Sequence, residues 1–192
     1  MLKPVVFLAL AALTLGAQTY EIDTAHSGAN FSVKHMMVTN VSGRFSNVKG
    51  KVTYDEKNLA KSAIEATLDV ATVNTNDAKR DAHLKTPDFF DAEKYPTMTF
   101  KSTKFYKQGA TLMIDGMLTL HGVTRPVTLT VVELSGEVKH PAGAIVRGAV
   151  AKTRINRKDF GLTYNKVLDT GGVMIGEEID ITLEVELSRK PA

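Results

Sequence analysis

Residues 155–165, INRKDFGLTYN, set Arg157, Lys158, Asp159, Phe160, Tyr164 and Asn165 within one short stretch. A planar guanidinium with an amide and a phenol nearby is suited to hold a phosphate or carboxylate group. A plainer arrangement is also open, in which Arg157 and Asp159 pair with each other at the surface. The histidines His26, His35, His83, His121 and His140 are scattered over loops and strand ends. No two have the spacing of a zinc site. His26, His35, His83 and His121 could still meet in space, and a metal-dependent enzyme built on them is the rival reading. His121 before Gly122, and His26 before Ser27 and Gly28, sit where a turn is expected and a ring commonly bonds to backbone. For nucleophilic catalysis the chain offers no cysteine and no Gly-x-Ser-x-Gly elbow. Asp69, Asp115, Glu184 and Glu186 fall on outward positions, so no carboxylate pair is expected inside. The expectation is a binding protein with no catalytic residue, no bound metal and no cofactor.

The elements that would position these groups follow a leader. Lys3, the apolar run from Val5 to Leu15 and the small pair Gly16 and Ala17 read as a secretory signal peptide over residues 1–17. The domain is then 18–192, in the periplasm or secreted. One domain of this length can bury a core without staples, and the chain has no cysteine to supply them. Basic residues number 24 against 21 acidic ones and alternate with them along the chain. That is a solvated surface and not a nucleic-acid footprint, and no polybasic cluster or spanning segment suggests stable membrane insertion.

Period 2 dominates the mature chain. Ala29, Phe31 and Val33 alternate with polar residues, as do Ala66, Leu68 and Val70, Met98 and Phe100, Leu112 and Ile114, Leu118 and Leu120, and Val127, Leu129 and Val131. Ile179 to Leu187 is the plainest case. With strands near Phe45 to Tyr54 and Ile145 to Ile155 the count is eight. Short turns between them imply antiparallel neighbours. The exception is 74–96, where Thr75 or Asn76 caps a short helix that must end near Thr86, because Pro87 follows.

Eight strands with one apolar face close as a sandwich or a barrel. The inferred inward positions are Ala29, Val33, Ala66, Val70, Val127, Val131, Val146, Gly148 and Val150. Residues this small leave a cavity in a barrel, and such a cavity rejects water and favours a long apolar guest. Phe31, Val33, Leu68, Val70, Phe100, Leu118, Leu120 and Val131 would line it. Phe89 and Phe90 follow the helix and would lie across one mouth, touching the guest or anchoring the loop, with Phe160 and Tyr164 nearby. His35, Arg157 and Asn165 are the polar candidates.

Five stretches in order, YEIDTAHSGANFSVKH, GRF at 43–45, RDAHLKTPDFFDAEKYP, GMLTLHGVTRPV and INRKDFGL, resemble the motifs of the YceI-like proteins from Tyr20 to Leu187. The resemblance implies an all-β, lipocalin-like, extended eight-stranded antiparallel barrel with a short helix and loop at one mouth. It further implies a tunnel for a polyisoprenoid, an isoprenoid-quinone-like lipid, or a fatty acid or its amide. Export to the periplasm and a homodimer are implied as well.

Overall fold

The computed structural model describes residues 16–167 and 172–191, so the expected signal peptide lies outside the described residues except for Gly16 and Ala17. The strands are β1 (Gln18–Ile22), β2 (Gly28–His35), β3 (Thr39–Phe45), β4 (Lys49–Tyr54), β5 (Ala63–Asp69) and β6 (Thr97–Gln108). They continue with β7 (Thr111–Leu120), β8 (Val123–Leu134), β9 (Val138–Lys139), β10 (Ile145–Asn156) and β11 (Ile175–Arg189). One α-helix, α1 (Ala78–Leu84), lies between β5 and β6.

The strands pair in the order β3-β2-β11-β1-β4-β5-β6-β7-β8-β10-β9, and β11 also pairs with β10. That last pairing closes an antiparallel barrel of β1, β4, β5, β6, β7, β8, β10 and β11, which removes the open edges an isolated sheet would expose. The expected eight-stranded barrel is therefore present, with a different membership. The 15-residue β11 carries two strands end to end on one edge: Leu187 and Ser188 pair with β1, and residues 175–184 pair with β2. So β2 and β3 extend the wall beyond the closed ring, and a bridge from Arg44 to Asn74 ties β3 to the segment after β5.

The single strand read across 45–54 is two. Phe45 ends β3, Lys49 begins β4, and Asn47 between them takes the left-handed φ of 57° that an extended strand cannot contain. The helix begins later than its sequence suggests, because Asn76 is also left-handed, at φ 61°. Asp77 is the cap, accepting from the Arg80 amide, while the Thr75 amide and hydroxyl both donate to Asp81. His121 and Gly122 form a two-residue turn between β7 and β8 with φ of 52° and 73°, the primed geometry that matches strand twist.

Register explains the largest misreading. In β10, Val146, Gly148 and Val150 do not face the interior; Arg147, Ala149, Ala151, Thr153 and Ile155 do. Both parities of IVRGAVAKTRIN are apolar at the start, and only Lys152 and Arg154 against Ile155 decide which face is wet. A slip of one residue inverts the whole strand. Two bulges shift parity elsewhere: one in β6 near Ser102 and Lys104 brings Phe105 inward, and one in β8 opposite Val150 and Ala151 brings Leu134 inward.

Candidate ligand cavity

The barrel encloses a cavity of about 300 Å³ whose wall follows β11 from Ile175 to Leu187. Aromatic and aliphatic side chains make nearly all of it. Phe45, Phe105, Ile114, Leu120 and Leu129 are buried around it, and Phe31, Phe100 and Leu183 pack beside them. The Phe100 ring fits because Gly116, its neighbour on β7, has no side chain; a Cβ there would stand 2.3 Å from the ring. Among the described residues the wall contains two charges, Arg147 and Arg157, and no carboxylate.

Of the residues singled out from sequence, Phe31, Val33, Leu68, Phe89, Phe90, Phe100, Leu118, Leu120, Val131 and Arg157 line the cavity. Val70, His35, Phe160, Tyr164 and Asn165 lie outside its wall, each for a local reason. Asp69 accepts from the Ala71 amide and turns the chain into a 3-10 turn at Val70–Thr72, so strand alternation stops before Val70. Val70 is buried all the same, 1% exposed, with its amide on the Pro96 carbonyl. His35 is the last residue of β2, opposite Thr39 and Ile175, two positions past the wall residue Val33. Phe160 closes a core cluster with Leu120, Ile155 and Leu162. Asn165 holds the start of β11, donating to the Ile175 carbonyl at 2.7 Å and accepting from its amide at 3.0 Å.

Tyr164 belongs to an aromatic group at one rim. Its ring lies 4.9 Å from Phe89 and 5.2 Å from His83, and His83 lies 5.0 Å from Phe89. Phe90 turns the other way and meets Phe45 edge-on at 5.4 Å. Each ring of the Phe-Phe pair lines the cavity, and each packs on an aromatic neighbour that anchors the loop after α1.

The two arginines differ in what holds them. Arg157 does not pair with Asp159, as the plainer sequence reading had it; it is buried, 4% exposed. Its Nε donates to the Gly176 carbonyl at 2.9 Å, Nη1 to Leu162 at 2.5 Å and Nη2 to Ile175 at 3.5 Å. Burial pulls its pKa below the ordinary guanidinium value. Lys158, next along, pairs with Glu177. Arg147 stands at the other end of β10, about 30 Å away at ~3.3 Å per residue. Its Nη2 donates to the Ser135 carbonyl at 2.7 Å, and its guanidinium lies 5.2 Å from the Tyr54 ring centroid and 6.0 Å from that of Tyr20. Sequence parity placed Arg147 outside; Ile155 on the same face was the signal that could have corrected it.

Beside Arg147, Tyr20 donates to Glu137 at 2.5 Å, and Arg189 grips both Glu137 oxygens at 2.9 and 3.0 Å. The Tyr20 hydrogen bond and then the arginine hold Glu137 below the usual glutamate range. Burial and the carboxylate push Tyr20 up.

The histidine cluster of the rival reading does not form. His26 meets Asp23 and Glu186, His83 meets Asp88, and His121 lies on Tyr95 with Nδ1 3.2 Å from the Phe160 carbonyl. Among the described residues the one group with metal-ligand closeness is Asp23, His26 and Glu186, with a single imidazole.

This barrel has counterparts. The YceI-like domain family matches residues 20–187. A UPF0312 protein of Vibrio parahaemolyticus is 43% identical over 161 residues, covering 81% of this chain and 85% of its own length. The crystal structure of the Campylobacter jejuni YCEI protein superposes with a TM-score of 0.68 at 31% identity, covering 82% of this chain and 90% of that one. A polyisoprenoid binding domain from Saccharophagus degradans shares the fold, with a TM-score of 0.62 at 18% identity over 90% of this chain and 98% of that one. With the family pattern running through nearly the whole barrel, the chain belongs to the YceI-like family.

Proposed function

We propose that this protein is an exported carrier that sequesters one long apolar lipid, of polyisoprenoid or similar chain type, inside its barrel. The observation that carries the reading is the closed barrel around a cavity walled almost entirely by apolar side chains. On this reading the protein sits in the periplasm or the medium and has a binding role with no catalytic step. The Saccharophagus degradans neighbour is named for polyisoprenoid binding, which supports the choice of guest.

Burying a methylene contributes roughly 0.8 kcal/mol, so twenty carbons supply about 16 kcal/mol gross. Ordering the chain and losing its free motion offsets much of that. Affinity then rests on shape-tolerant burial, and selectivity among chains on any polar group the wall can offer the head. Residues 1–17 serve, in this reading, as the signal that is removed on export.

A homodimer completes the proposal. Met36, Met37 and Val38 at the β2–β3 turn and Val167 beside them are exposed apolar residues that support it, and light scattering on the mature protein tests it. The carrier reading itself is tested by native mass spectrometry of protein purified from periplasm or medium, followed by organic extraction. A long-chain lipid near one per protein is expected. A bare mass that stays bare when isoprenoids are supplied overturns the reading.

A further inference from the structure

Among the described residues the cavity wall contains two cations, and one of them has a buried nitrogen without an acceptor. Arg157 directs three nitrogens at three backbone carbonyls. Arg147 makes one such bond, to Ser135, and its Nε is buried with no acceptor. The nearby carboxylate, Glu137, is already engaged by Tyr20 and both arms of Arg189. Buried donors are nearly always satisfied, and Glu137 is one carboxylate facing two guanidiniums, Arg189 and the half-buried Arg147. The Tyr54 and Tyr20 rings lie against the Arg147 guanidinium, and a ring face offers no acceptor to the buried Nε–H.

We infer that Arg147 receives the head of the bound lipid, and that this head is anionic and oxygen-rich, a phosphate or a carboxylate. The inference rests on the carrier reading and deepens it. Such a group accepts two N–H bonds side by side and balances the second guanidinium beside Glu137. The tail then runs along β11 toward Ile175, Phe89 and Leu84, where each nitrogen of Arg157 already has a backbone carbonyl. The orientation is fixed: head at the Tyr54 end, tail at the Phe89 end.

The test is a titration of lipid-stripped mature protein with three probes: geranylgeranyl diphosphate, oleate, and the headless twenty-carbon isoprenoid phytane. Wild type is expected to favour the diphosphate over phytane, and Arg147→Met to lower that ratio about tenfold. Arg147→Lys should keep part of the preference. A gain for oleate as well marks a general anion site, and a gain for the diphosphate alone marks a phosphate site. If phytane enters but neither anionic head gains affinity, or if Arg147→Met keeps the full preference, the Arg147 assignment is overturned while the carrier reading stands. If no probe enters wild type, the carrier reading falls and takes the assignment with it. Should Arg147→Met not fold, the Arg147 Nε–H resonance of wild type gives the answer: it must shift with the diphosphate and not with phytane, and a resonance unmoved by either overturns the assignment.

Discussion

Arg157 and Arg147 lie in one strand-and-turn unit, ten residues apart, and are held in opposite ways. At the Phe89 end, Arg157 is spent on structure: its three carbonyl bonds tie the 3-10 turn at Arg157–Phe160 to Leu162 and to the first residues of β11. At the Tyr54 end, Arg147 is held by two ring faces and one carbonyl, and its Nε is left without an acceptor. Burial alone therefore does not mark a binding arginine. What separates the two is whether the backbone has already taken the donors.

That contrast breaks first in stability. Arg157→Met takes the donors away from three carbonyls at once, two of them bound at 2.5 and 2.9 Å, and should cost about 3 kcal/mol or more in urea unfolding. Arg147→Met removes one such bond and should cost about 1 kcal/mol. Equal losses would remove the distinction between the ends.

The next largest effect asks whether the ends share one cavity. Ala151 faces inward on β10 between the two arginines, beside Phe105, Ile114 and Leu129. Ala151→Trp should cost about 1–3 kcal/mol by overpacking and should abolish uptake of a long lipid in a protein that still folds. Val70→Trp is the control: Val70 is buried but outside the wall, so it should destabilise without blocking. Unchanged uptake in folded Ala151→Trp, by native mass spectrometry, would argue against a continuous tunnel.

Smaller effects sharpen each end separately. Phe89→Ala removes a ring shared with His83 and Tyr164, worth about 1 kcal/mol, and should speed lipid release several-fold in stopped-flow exchange. At the other end, Glu137 has its pKa lowered by Tyr20 and Arg189. A carboxylate with a lowered folded pKa contributes stability above its unfolded value, about 4.3, and loses it as pH falls through the folded one. Melting temperature should therefore drop more steeply in wild type than in Glu137→Gln as pH is taken below about 4.3. Parallel curves would show that Glu137 does not hold this end.

Much of the barrel was legible because period 2 is a local signal. Ile179 to Leu187, Leu112 to Leu120 and Phe31 to Val33 announce their inward faces, since a half-buried strand must alternate whatever it pairs with. The Phe89–Phe90 pair was legible for the opposite reason: no packing period places two rings side by side, so the loop had to bring them to an apolar surface.

The rest required pairing partners distant in sequence. Apolar residues on both parities left the register of β10 open until β8 and β11 fixed it. Bulges that turn Phe105 and Leu134 inward are set by the facing strand, and the capped turn that removes Val70 from the wall competes with strand alternation. The histidines' separation likewise followed from topology. The sequence by itself determined that this chain is an antiparallel β protein with an apolar interior, because hydrophobic alternation is written residue by residue. Only the tertiary structure decided that the β-barrel closes and which arginine keeps a buried nitrogen without an acceptor, because both depend on which strands and backbone carbonyls distant in sequence come together.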